Sequence, residues 1–577
     1  MSMRRISIVL AVSFFLALSV SSAYAYETFR GPTGVVIYDQ AKAKDVYTLF
    51  APSGEQTSWL IDMKGNIIHS WNLADTVPMT GPPTGPGDTA YFDGPQVQSA
   101  NALRPGLHDR LLPNGHLLRG YRPDTYDYDP GLGAANVDAN NKVSFSPAGG
   151  TAGGVLELDW DGNLLWWYPL KDATHIQHHT FYRVMDPDSP YVGHTFILGW
   201  ELIDPVEAEA AGRDPNTIGA GSSRLAAGIY PDFIREVDAN KNTVWEWRTW
   251  DHLSTDATMT DPYKFYVNAQ TDPVNQSDAD WTHGNTVEFN PVTNQVIINF
   301  RNWGEFFIIN HATTFDADCL TDPTGVDCDP YTLAASDAGD ITFRWGNPGN
   351  YGAGTLPYFL NDGDQVIFGE HCVVWLGVDY QNYQGTPGNI LMFDNGWQRP
   401  QGNRSSAVEM TPAGIGGDPA DWRTPADGGL SPEVFRFSAR NESSFYSAYQ
   451  GGAERVYQDD ATGEMWTFVT STGEGQLFQV YTAANGQSSV VWDFIVPALS
   501  GGDRRCYHDD GTNNSVHRAH QYLPDYAGLA GKNLTPTQGN LSGNCPQMWN
   551  LWGDQTSGVD REMDNLRRSL GFSGQSN

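Results

Sequence analysis

Positive charge is scarce in this chain. Its 577 residues include 34 lysines and arginines against 68 aspartates and glutamates, a formal charge of −34. A nucleic-acid or anionic-membrane partner needs a basic face, so this balance argues against both. Cysteine is sparse as well, at five residues. No long helical periodicity appears before the stretch 559–572, whose apolar spacing suits one short amphipathic helix in a tail over 551–577. Long apolar runs are missing apart from 6–20. That run follows Arg4 and Arg5 and precedes Ala23-Tyr24-Ala25, the form of a secretory signal over 1–25. It is short for a membrane anchor, which needs about 20 apolar residues. A periplasmic or secreted location is therefore expected.

Export implies an oxidising compartment, with thiol-oxidising machinery as a partner. Cys319 with Cys328, and Cys506 with Cys545, each flank a polar loop and are candidate local disulfides; Cys372 is left over. Asp316, Asp318, Asp322, Asp327 and Asp329 crowd the first loop, but the glycine of an EF-type calcium loop is missing. The segment reads as a solvated acidic loop.

What the chain does have is turns and aromatics: 61 glycines, 35 prolines and 19 tryptophans, with 12% aromatic residues. That aromatic content excludes a disordered chain. A hairpin recurs, built from an apolar strand, a turn with Asp, Gly or Asn, and a strand ending in an aromatic. TSWLIDMKGNIIHSW, GVLELDWDGNLLWWY and DFIREVDANKNTVWEW are the clearest copies, and three looser ones follow them. A second hairpin precedes every copy but the first. The last partial copy, HRAHQYLPD at 517–525, has no hairpin after it. Four-stranded units that close by joining the termini predict an all-β, six-bladed β-propeller over 26–550.

The inner hairpins open on histidine: His108, His178 with His179, His283, His371 and His517; the fifth has Tyr449-Gln450 instead. Innermost strands line a propeller's channel, so these imidazoles are expected to face one another. Such a ring could ligate a transition metal or handle an anion. Arg301, at the returning end of the strand pair that begins at His283, favours the anion, because a guanidinium repels a metal and pairs with an oxyanion.

At these residues the sequence resembles the bacterial arylsulfotransferases that use sulfate esters rather than a nucleotide sulfate. The matching words are DWDGNLLWWY, the pair at 178–179, DWTHGNTVEFNP with VIINFRN, RWGNP, FGEH, GNILMFDNG and FYSAYQGGAER, spread over roughly 45–525. The resemblance implies a periplasmic propeller that moves a sulfuryl group from an aryl sulfate donor to a phenolic acceptor, in ping-pong fashion through a sulfohistidine, with no cofactor and no metal. It places the nucleophile on His371, supporting histidines on His179 and His283, and the arginine on Arg301. Which of His179 and His283 is the acid/base stays open. Cys372 departs from the acid common after the FGEH histidine. About 20 residues separate Ala25 from the first propeller strand, which leaves out the N-terminal β-sandwich that some members carry; the oligomeric state stays open. Arg404 and His178 are further candidates for substrate binding, and Trp281, Trp303 and Trp375 for stacking on a phenyl ring. Two other readings remain: a metal-dependent propeller enzyme with a histidine-ligated ion, and a non-catalytic ligand-binding propeller.

Overall fold

The recurring turn has one chemistry. In a computed structural model of the chain, Asp62, Asp159 and Asp238 each close a hairpin through the residue four further on. Their carboxylates accept the backbone N–H of Asn66, Asn163 and Asn242 at 2.8 Å and the side-chain amide of the same residue at 2.8–2.9 Å. The residue before each asparagine has positive φ: Gly65, Gly162 and Lys241. Glycine adopts that conformation at little cost, and Lys241 is the exception.

These hairpins assemble into six four-stranded antiparallel sheets. Blade one runs Arg104–Leu111, Leu117–Arg122, Gly154–Leu158, Leu164–Pro169. Blade two runs His175–Arg183, Thr195–Glu201, Asp232–Val237, Thr243–Arg248. Blade three runs Gly284–Asn290, Gln295–Phe300, Glu305–Asn310, Ile341–Trp345. Blade four runs His371–Trp375, Ile390–Asp394, Ser406–Met410, Glu433–Phe437. Blade five runs Gly452–Asp459, Glu464–Ser471, Gln476–Thr482, Ser488–Ile495. Blade six takes its inner strand, Val516–Tyr522, from the C-terminal side and Tyr47–Pro52, Thr57–Ile61 and Ile67–Asn72 from the N-terminal side. The termini therefore close the ring as expected, with one C-terminal strand against three N-terminal ones. The first strand in sequence, Gly34–Tyr38, was not legible as a repeat; it adds a fifth strand to the outside of blade five. Each inner strand contacts the next, and blade six returns to blade one.

The structure describes residues 33–545 except 54, 73–103, 123–148, 171–173, 218–227, 260, 270–279, 312–338, 379–383, 418, 424–430, 439–444, 498, 501–502, 505, 507–513, 537 and 544. The signal segment, the Cys319–Cys328 pair with its acidic loop, and the helix at 559–572 lie outside the described residues. Cys506 and Cys545 are joined in a disulfide, and Cys372 is free and buried. Among the described residues, no helix is long and apolar enough to cross a membrane.

Tryptophans tie neighbouring blades together. Trp71, Trp247, Trp345 and Trp492 are fully buried on the fourth strands of their blades. Each indole N–H donates to a carbonyl in the outer turn of the next blade: Asp159 at 3.1 Å, Gly339 at 3.0 Å, Ser431 at 3.3 Å and Met63 at 2.8 Å. A large apolar ring fills each interface, and its one polar atom is satisfied across it.

Candidate active site

Inner strands begin at the channel mouth, and bulges there turn their first residues inward. His179 and His283 have φ of 47° and 50°. Four imidazoles converge. The His179 ring centroid lies 5.0 Å from His283, 5.5 Å from His517 and 6.2 Å from His371, and His371 lies 6.5 Å from His517. Among the described residues, no three histidine, cysteine or acidic side chains form a group that could hold a metal ion.

His108 does not join this ring, contrary to the expectation from its place in the repeat. Asp109 pairs with Arg119 as Phe181 pairs with Ile197, so His108 takes the register position of Thr180, one residue deeper than His179. There its Nε2 bonds Nε2 of His520 at 2.9 Å, and His520 Nδ1 meets Glu454 at 2.5 Å.

The ring members differ in what stands behind them. His371 Nδ1 donates to Asn395 Oδ1 at 2.7 Å, so its Nε2 carries the lone pair, which accepts the Gln450 N–H at 3.1 Å. The blade without a histidine thus supplies a backbone amide instead. Burial, and next the charge of Arg301, hold His371 well below the ordinary 6.5, so its imidazole is neutral at pH 7. Arg301 donates to Ala448 O at 3.2 Å and lies 4.2 Å over the half-buried Trp397 ring. Both groups therefore meet the segment 448–450.

His283 Nδ1 is hydrogen-bonded to the Asp280 carboxylate. His179 Nδ1 bonds His178 Nδ1 at 2.8 Å, and His178 Nε2 lies 2.9 Å from Asp232 Oδ1. Asp232 also accepts the Gly284 N–H at 2.6 Å and the Thr282 hydroxyl. Burial holds both His178 and His179 below 6.5; for His178 the Asp232 carboxylate opposes it, and for His179 the neighbouring imidazoles reinforce it. His178 is fully buried and stacked 3.7 Å on Trp200, so it stands behind His179 rather than at a substrate.

Other candidates fall elsewhere. Arg404 donates to Gly402 O at 3.3 Å. Trp281 and Trp303 pack in the core shared by blades two and three, and Trp375 in that between blades three and four; none exceeds 3% exposure. They are blade cores, not a stacking surface. Trp397 is the aromatic beside Arg301, and sequence reasoning missed it along with Asp232, Asp280, Asn395 and Gln450. A local signal existed for two of them. Asp280 precedes His283 by three residues, and Asn395 follows the strand that returns Phe393 to His371.

No curated protein matches the chain. Among solved structures, a periplasmic gluconolactonase of Pseudomonas aeruginosa is similar at 10% identity and a TM-score of 0.33, covering 79% of this chain and 84% of that one. A Lactobacillus plantarum protein is similar at 9% and 0.32, covering 83% and 99%. Apo AztD from Citrobacter koseri is similar at 8% and 0.29, covering 83% and 98%. Likenesses this weak bear on neither mechanism nor substrate. The sequence comparison is specific: residues 227–412, which carry His283, Arg301 and His371, match the family model described as Arylsulfotransferase (ASST), so this part of the chain is similar to the arylsulfotransferase family.

Proposed function

We propose that this chain transfers a sulfuryl group from a phenolic sulfate ester to a phenol, with His371 as the nucleophile. One observation carries the reading: a neutral imidazole, locked by Asn395 into the tautomer with its lone pair on Nε2, where only the Gln450 N–H must give way to a substrate, beside the Arg301 guanidinium. In the first step Nε2 attacks sulfur, an N–S bond forms as the S–O(aryl) bond breaks, and phenolate leaves with the electron pair. In the second step the acceptor oxygen attacks sulfur, the N–S bond breaks, and the acceptor proton leaves. Two steps through a covalent intermediate give ping-pong kinetics.

Negative charge is spread over the sulfuryl oxygens and the leaving oxygen as the bonds exchange, much as in phosphoryl transfer. Arg301 is the donor suited to hold it. A preorganised donor of this kind contributes on the order of 3 kcal/mol at the transition state. His283, backed by the Asp280 carboxylate, suits the proton transfers, because the carboxylate stabilises the imidazolium that forms when the proton arrives. His179, backed by another imidazole, suits a neutral donor to sulfuryl oxygen. Trp397 offers a face for the phenyl group. An exported enzyme fits the signal-like segment at 1–25.

The test is incubation with 4-nitrophenyl sulfate, without and then with phenol. The expected result is an added SO₃ mass on the His371 peptide, discharged by phenol with stoichiometric phenyl sulfate. Transfer that proceeds unimpaired in His371→Ala would refute the assignment.

A further inference from the structure

Beneath the histidine ring, further along each inner strand, lies a second layer. Strand register assigns one member per blade: His108, Thr180, Thr286, Cys372, Gly452 and Arg518. All are buried. Two contacts verify the layer. Arg518 comes from blade six, and its Nη2 lies 3.4 Å from the Thr286 hydroxyl of blade three, directly across the channel. A Cβ on Gly452 would stand 3.3 Å from Cys372 Sγ and 3.4 Å from Arg518 Cγ, so this glycine leaves room for the arginine stem. The guanidinium therefore spans the channel as the floor of the pocket that His179, His371 and His517 surround.

Its charge is poorly met there. Arg518 is 2% exposed, and its Nε and Nη1 have no hydrogen-bond partner among the described residues. Its layer-mates are two threonines, a glycine, a thiol and an imidazole. Burial pushes the Cys372 thiol up to about 11, and burial together with the Arg518 charge holds His108 well below 6.5, so both are neutral. The carboxylates further down are engaged elsewhere: Glu454 by His520 at 2.5 Å and Glu288 by Arg110 at 3.4 Å. A buried cation with unmet N–H groups is costly unless an anion completes it.

We propose that Arg518 is a second anion-binding residue of the site, holding a tetrahedral oxyanion from the channel side while Arg301 holds it from the mouth. A guanidinium fork matches two oxygens of such a group. Under the sulfotransferase reading, on which the identity of the ligand rests, that group is the sulfuryl moiety carried between the donor ester and His371.

The test measures inorganic sulfate binding by calorimetry and the rate of His371 sulfation from 4-nitrophenyl sulfate, in wild type, Arg518→Gln and Arg518→Lys, with circular dichroism as the folding control. Arg518→Gln is expected to weaken sulfate binding about tenfold or more and to slow sulfation about 100-fold. Arg518→Lys should fall between, keeping the charge without the fork. A folded Arg518→Gln with binding and sulfation within about twofold of wild type, a gap too small for a lost charged hydrogen bond, overturns the assignment. Should Arg518→Gln not fold, Arg518→Lys decides, and unchanged binding and rate in it overturn the two-nitrogen contact. If wild type binds sulfate in an Arg518-dependent way yet moves no sulfuryl group from any aryl sulfate, the transferase reading fails and the anion site stands.

Discussion

The outer edge of this propeller and its channel are built on opposite plans. Outside, one solution recurs. An aspartate closes the hairpin onto the asparagine four residues on, and a tryptophan donates across the blade interface to the next outer turn. Inside, equivalent register positions hold a histidine, two threonines, a cysteine, a glycine and an arginine. Repetition serves where every interface has the same task, to exclude water and satisfy one indole N–H. It gives way where one asymmetric group must be bound and six walls must each do something different.

The comparison breaks most sharply if an inner residue proves structural. His371→Asn should remove the sulfuryl adduct and lower turnover by several orders of magnitude, because it removes the imidazole that carries the sulfuryl group. Thermal unfolding should stay close to wild type, since Asn395 and Gln450 can still bond an amide at that place. Loss of fold together with activity would put His371 in the scaffold instead. Arg301→Gln belongs to the same class, with an expected loss of about 10²- to 10³-fold.

The converse prediction concerns the outer edge. Trp247 is fully buried and its N–H meets Gly339 O at 3.0 Å. Trp247→Ala should cost about 3–5 kcal/mol in chemical denaturation. At a temperature where the variant stays folded, KM and turnover per folded molecule should hold. A large change in KM with unaltered stability would mean that the outer edge reaches the site.

This contrast also explains what could be read from the sequence. The blades were legible because they repeat: Asp62, Asp159 and Asp238 sit in recognisable words, and the unpaired strand near 517 showed how the ring closes. The histidine ring was legible for His179, His283, His371 and His517 because their strands open alike. His108 was misplaced because it stands one residue nearer the regular pairing of its strand than His179 does, and nothing in the sequence marks that register. Trp281, Trp303 and Trp375 were offered to the substrate because nothing in a single sequence separates a core indole from a mouth indole. Asp232 is brought to His178 by the third strand of the same blade and Gln450 to His371 by the next blade, relations that only the folded ring creates.

A smaller effect probes the inner wall one atom at a time. Asn395→Asp replaces the amide behind His371 with a carboxylate. An adjacent negative charge favours the imidazolium and raises the pKa by about 1–3 units where such pairs are close. Wild-type His371 takes up a proton only well below 6.5, so the acid limb of its kcat/KM profile should lie there too. In the variant the limb should move to higher pH, with the alkaline plateau little changed. An acid limb that stays in place would mean that another group controls it.

The smallest effect reaches the lower layer and reads stability rather than rate. Burial holds His108, His179 and His371 well below 6.5, and lowers His178 and His520 as well. In the unfolded chain each takes up its proton near 6.5; in the folded chain each does so only at lower pH. Between those values the unfolded state binds more protons, so stability is full above about 6.5 and falls on acidification. Each such histidine contributes up to about 1.4 kcal/mol per pH unit to that slope. His108→Phe removes one of them from a position stacked 4.9 Å on Phe181 and leaves the four-histidine ring intact. Denaturation midpoints between about pH 5 and 6.5 should therefore depend less steeply on pH than in wild type, by about one proton at most. The rate of His371 sulfation should be nearly unchanged, because His108 lies one register position below the ring. An unchanged slope would mean that His108 takes up its proton alike in the folded and the unfolded chain, against the burial that surrounds it.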